Sequence, residues 1–265
     1  MIFTKDDIIT TDKFYNSFKN IYFKTDAIVY NSSINWRGIH VFTPTKNMDV
    51  IISGHSDFEI NDVHVELFSP KTWYTVNKQT HNNNVISIPL GITNNTNESY
   101  IHPIYGDLDS MIDVMAQPIE KTKLVYMNFN IGTFPQERQL VWDLFKTRNY
   151  VTIGKIVNTI EGRKNFLKDI KAHHFVLCPR GNGIDTHRLW ETLYMGSIPI
   201  VKRNIAYAEF YDLPICFIDD WTELNEEFLE REKNRINNNN YCLDKLKISY
   251  WIDRINKSIE HAKNN

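Results

Sequence analysis

From Lys123 onward, short apolar runs alternate with helix-length segments, and few folds other than a parallel α/β sheet accommodate that pattern. Lys123–Phe129 reads as a strand. Pro135 suits the first turn of a helix that continues to Phe145 through Leu140, Val141 and Leu144. Asn165–Ala172 is a second helical segment, with Phe166, Leu167 and Ile170 on one side. His174–Cys178 is a strand, Thr186–Met195 a helix stopped by Gly196, and Ile198–Val201 and Ile215–Ile218 are further strands. Two helices close the chain, Glu223–Ile236 and Leu243 to about Ala262. The second carries Ile248, Trp251, Ile255 and Ile259 at three- and four-residue spacing, which predicts one buried stripe.

The first half is less regular. Ala27–Tyr30, Val50–Ile52 and Val85–Ile88 read as buried strands, Val63–Phe68 as strand or loop, and Met111–Met115 as a helical turn. Trp36, Trp73 and Tyr74 fall in expected loops, where aromatic rings either stack on sugars or pack. Pro118 precedes the regular half, so two compact units are expected, 1–118 and 119–265. The 265 residues carry 30 Lys and Arg against 32 Asp and Glu, a balance that argues against a protein that coats nucleic acid. Hydrophobic residues make up 42%, enough for real cores. No apolar run reaches the roughly 18 residues of a membrane span, and the start lacks a signal-peptide pattern. Three scattered cysteines, Cys178, Cys216 and Cys242, fit neither a disulfide framework nor a zinc site. A cytoplasmic location is the expectation from these features.

The chemistry concentrates between His174 and Val201. A buried strand there delivers the chain to Pro179-Arg180-Gly181-Asn182-Gly183, whose glycines let a ligand approach the main chain. Asp185 or Thr186 can cap the next helix, and its N-terminal amides favour phosphate. Arg180 and Arg188 bracket this end and suit two-pronged contacts to a diphosphate. Arg188 and Glu191, three apart, are neighbours on the helix face expected to line a cleft, and a carboxylate there suits a pair of sugar hydroxyls. The loop is neither a Walker A loop nor a full GxGxxG.

Arg180, Gly183, Asp185, Arg188, Glu191, Gly196 and the run Ile198-Pro199-Ile200-Val201 together resemble the donor-binding motif of exostosin-like glycosyltransferases. The resemblance implies a GT-B-like α/β fold: two small Rossmann-like domains facing a central cleft, with a C-terminal helix. It implies an inverting enzyme that takes a sugar from a nucleotide donor, with a UDP-sugar favoured, to a glycan acceptor. Arg188 would then meet the diphosphate and Glu191 the ribose. Arg180, Gly181, Gly183, Asp185 and Thr186 would sit beside the phosphates, with Arg138 as a second phosphate contact from the preceding strand and loop. A nucleotide-sugar hydrolase or epimerase of the same fold, and a noncatalytic sugar-binding module, are the alternatives.

An inverting transfer needs a base for the acceptor hydroxyl. The loop after Ile51-Ile52 supplies Asp57, the preferred base, and His55, the second choice or its partner. Asp107-Leu108-Asp109 spells the DxD signature of metal-dependent glycosyltransferases of the other fold. It follows no clear strand and is read as incidental. No metal site and no required cofactor are expected, though the resemblance leaves room for stimulation by a divalent ion.

Overall fold

A computed structural model describes residues 3–18, 28–31, 49–54, 56–96 and 99–264. In chain order, helix α1 (Thr11–Phe18) precedes strands β1 (Ile28–Asn31), β2 (Val50–Gly54) and β3 (Ile60–Asn61). Helix α2 (Asp62–Phe68), β4 (Thr72–Thr75), β5 (Lys78–Gln79) and β6 (Val85–Ser87) follow. Strands β1, β2, β4 and β6 pair in that order as a parallel sheet, and β3 and β5 form a separate parallel pair.

Helices α3 (His102–Tyr105) and α4 (Leu108–Ala116) lead to the second sheet. There β7 (Lys123–Met127), α5 (Pro135–Phe145), β8 (Val151–Ile153), α6 (Ile160–Ala172), β9 (His173–Leu177), α7 (His187–Tyr194), β10 (Ile198–Lys202) and β11 (Cys216–Ile218) alternate as expected. All its pairings are parallel, in the order β11-β10-β9-β7-β8. Helices α8 (Glu226–Asn237) and α9 (Ile248–Asn264) end the chain.

Apolar residues cover both faces of the second sheet, as buried parallel strands require. Val125, Met127, Phe175, Leu177 and Ile200 pack with Val141 and Phe145 of α5 and Leu229 and Ile236 of α8. Tyr126, Val176 and Val201 face the other way, onto Leu167 and Ile170 of α6, Trp190 and Leu193 of α7, and Trp251, Ile255 and Ile259 of α9. The α9 stripe is the one its sequence spacing predicts. Phe210 sits edge-on between Trp190 and Trp251, at 5.1 and 5.8 Å. This core continues into Val50, Ile52 and Tyr74 of the first sheet. The Tyr74 hydroxyl donates to the Arg254 carbonyl at 3.2 Å and bonds the Ser258 hydroxyl at 2.7 Å, so α9 crosses back onto the first sheet.

Two local expectations change, and one strand was not expected. Val63–Phe68 lies in helix α2, because Asn61 and His64 form a reciprocal capping box that commits the segment before its alternation can act. Trp73 and Tyr74 are not loop aromatics: they lie in β4, each 1% exposed. The Val151–Ile153 strand, an edge of three residues, gives no apolar run to read. Trp36 lies outside the described residues.

Candidate functional site

In the second sheet the chain passes from β7 outward to β8, then returns past β7 to β9, β10 and β11. The reversal falls between β7 and β9, and open parallel sheets bind ligands beyond the carboxyl ends of the strands at such a point. Asn128–Arg138 follows β7 there, and Cys178–Thr186 follows β9.

Arg138, on the second turn of α5, is 5% exposed. Its Nε donates to the Arg180 carbonyl and one terminal nitrogen to the Asn130 carbonyl, both at 2.8 Å. Its guanidinium lies 5.7 Å from the Phe129 ring centre. Burial, followed by the nearby positive charge of Arg188, pulls its pKa down to about 10. A Cβ on Gly181 would stand 3.3 Å from another of its nitrogens, so the glycine leaves that side of the guanidinium open.

Arg188, on the first turn of α7, has a buried Nε with no hydrogen-bond partner among the described residues. Among the described residues no carboxylate pairs with it or with Arg138. Two neighbouring, partly desolvated cations are unfavourable alone, and a bound anion relieves both the repulsion and the missing hydrogen bonds. Arg180 is differently engaged. It pairs with Glu59 of the first half at 3.0 Å and lies 4.5 Å from the Phe134 ring centre.

The loop amides are not the phosphate cradle that the glycines imply. Gly183 N–H donates to Asp57 Oδ1 at 3.2 Å. The Ile184 and Asp185 N–H groups both donate to Asn77 Oδ1, at 2.9 and 2.8 Å. Asn77 is 2% exposed, holds a left-handed φ of 53° and donates its own Nδ2 to the Ser56 carbonyl at 2.6 Å. A Cβ at Gly183 would approach that Nδ2 to 2.8 Å, so Gly183 admits the first half of the chain rather than a ligand.

Asp185 is likewise removed from the groups able to touch a donor. It is 4% exposed, and its carboxylate accepts from Leu90 N–H and from the Trp190 indole, each at 2.9 Å. Burial pushes its pKa up to about 7. Thr186 holds the N-cap position of α7 without a side-chain cap bond, and its hydroxyl is buried without a partner.

Glu191 does not pair with Arg188 on an open face. It is 4% exposed and takes a 2.5 Å hydrogen bond from Arg163 of α6, a residue 1% exposed. The signal for Arg163 is its place on the α6 stripe of Phe166, Leu167 and Ile170, where an apolar residue is expected. His187 donates from Nδ1 to the Gly91 carbonyl at 2.7 Å, and burial lowers its pKa.

On the acceptor side, Asp57 is exposed and stands against the Gly183 loop, while His55 lies outside the described residues. Asp107 caps α4 through the Asp109 amide and the Ser110 hydroxyl, and Asp109 pairs with Lys5. Those contacts account for the DxD string structurally. Among the described residues no cluster of metal-ligating side chains occurs. Cys178, Cys216 and Cys242 are all free. No described helix is long and apolar enough to cross a membrane.

Fold and site thus define an α/β protein with two arginines, Arg138 and Arg188, at the switch point of a parallel sheet. Residues 144–262 match the family model of the RXYLT1 C-terminal domain. This segment, from the end of α5 through α9, is similar to a domain of an exostosin-like glycosyltransferase family. It contains Arg163, Arg180, Arg188 and Glu191, whereas Arg138 and Asp57 lie before it. No curated protein matches the chain significantly.

Proposed function

We propose that the protein is a glycosyltransferase that moves a sugar from a nucleoside-diphosphate donor, favoured as a UDP-sugar, to a hydroxyl of a glycan acceptor with inversion. The observation that carries this reading is the pair Arg138 and Arg188: two adjacent guanidinium groups at the β7–β9 switch point without a carboxylate partner among the described residues. They stand where a diphosphate leaving group gains charge, and stabilising developing charge is usually the largest catalytic term. Glu191, carried over from the family motif, holds the ribose. The arginines do the charge work, so the reading requires no metal.

In this reading the two sheets form the halves of a GT-B arrangement, with the acceptor entering from the first. The Asp57 Oδ1 is held by the Gly183 amide, which aims the carboxylate at the donor loop. Its other oxygen takes the acceptor proton as the hydroxyl attacks the anomeric carbon. The bond from that carbon to the diphosphate oxygen then breaks on the opposite face. The products are a glycoside of inverted configuration and the nucleoside diphosphate.

The test is incubation of labelled UDP-, GDP- and CMP-sugars with a panel of glycan acceptors, following label on the glycan and the anomeric NMR signal of the product. Acceptor-dependent transfer with inversion supports the reading. Nucleotide release without an acceptor points instead to hydrolysis, and no turnover of any donor overturns the assignment as an enzyme. Asp57→Asn should lower transfer by about 10²- to 10⁴-fold while donor binding persists.

A further inference from the structure

We infer that Arg163 is a positioning residue for Glu191, holding that buried carboxylate in place toward the ribose of the donor. The inference rests on the donor reading above. Arg163 itself is sealed from solvent: it is 1% exposed, and its Nε and one terminal nitrogen are buried without partners. Its guanidinium lies 5.5 and 5.6 Å from the ring centres of Tyr105 and Phe166, and among the described residues its one ion pair is with Glu191.

This is a poor arrangement for stability alone. A guanidinium that uses one of its five donors, buried on a stripe with Leu167 and Ile170, costs more than an apolar side chain of similar volume. Its effect falls on Glu191. Deprived of that cation, the Glu191 carboxylate, 4% exposed, loses the hydrogen bond that fixes its orientation and no longer presents a set pair of acceptors to the ribose hydroxyls.

The surroundings do not confuse the reading. Around Glu191 stand Arg163 from α6, Arg188 and His187 on its own helix, Tyr105 from α3 and Cys178 after β9. Burial lowers the His187 pKa, raises that of Tyr105 and pushes the Cys178 thiol up to about 12. None of the three supplies a cation that could stand in for Arg163 above pH 7.

The experiment is calorimetric titration of the full chain with UDP and, separately, with inorganic pyrophosphate. In Arg163→Met, UDP affinity should fall by at least about tenfold, and Arg163→Lys, which keeps the charge, should recover part of it. Pyrophosphate, which has no ribose, should bind as it does to the parent. If Arg163→Met folds poorly, the Arg163→Met/Glu191→Gln double variant removes the orphaned charge, and it should bind UDP weakly. Equal UDP binding by the parent and by whichever variant folds overturns the inference. So does a variant that loses pyrophosphate binding to the same degree as UDP. A parent that binds neither ligand overturns the donor reading first, and the inference with it.

Discussion

Asn77 is the point at which the two halves are joined across the donor loop, and its replacement should be costly. One side-chain oxygen accepts two buried amides, Ile184 N–H and Asp185 N–H, and the side-chain nitrogen donates to the Ser56 carbonyl. Asn77→Ala orphans both amides at about 1–3 kcal/mol each. It also places alanine at a φ of 53°, which asparagine tolerates better, for about 1 kcal/mol more. The expected loss is roughly 3–7 kcal/mol. Asn77→Asp keeps the double acceptor but sets a carboxylate oxygen against the Ser56 carbonyl and buries a charge, so a loss of about 3 kcal/mol or more is expected. Urea unfolding of the three proteins at one pH measures both values. An alanine variant within about 0.5 kcal/mol of the parent would refute the claim that Asn77 secures the loop.

Asp185 predicts a pH dependence. The folded protein holds its proton up to about pH 7, whereas the unfolded chain releases it near its ordinary value of 3.8. The folded state binds more protons across that window, so this contribution to stability is complete below about pH 4. It is lost as pH rises through about 7, with an upper size of roughly 4 kcal/mol. Asp185→Asn should flatten the Tm–pH curve between pH 4 and 7, and an unchanged slope would exclude Asp185 as its source. Asp107 and Asp109 serve the α4 cap and a surface pair with Lys5. Asp109→Ala should therefore leave donor binding within about twofold and stability within about 1 kcal/mol, checked by titration and thermal melting.

Much of the second sheet was legible because its strands are buried on both faces and its helices carry apolar stripes, patterns that neighbouring residues suffice to reveal. Arg138, Arg180 and Arg188 were singled out by the family resemblance and by the glycine loop and helix start that Arg180 and Arg188 bracket, and the structure brings Arg138 onto the Arg180 carbonyl. What stayed hidden depends on distant partners. The amides at Gly183, Ile184 and Asp185 read as a phosphate site until Asn77 and Asp57 arrive from more than a hundred residues away. Glu191 looked like a neighbour of Arg188 by helical spacing, yet α6 brings Arg163 to it. In the first half, β4 hides Trp73 and Tyr74 inside a short run of mixed residues, and the Asn61 cap turns an alternating stretch into a helix. Arg163 left a trace, a charge on an otherwise apolar stripe, whose meaning needs the packing of α6 against α7.

The central claim is that Arg188 and Arg138 await an anionic ligand at the switch point, and titration of the parent and Arg188→Ala with UDP tests it most directly. Removing one charge-assisted contact to a diphosphate costs about 1.5–3 kcal/mol, so UDP affinity should fall by roughly 10- to 150-fold. The unliganded variant should unfold at the same denaturant concentration as the parent or a higher one, because it relieves the repulsion between the two guanidinium groups. Undiminished UDP binding by Arg188→Ala would contradict the account.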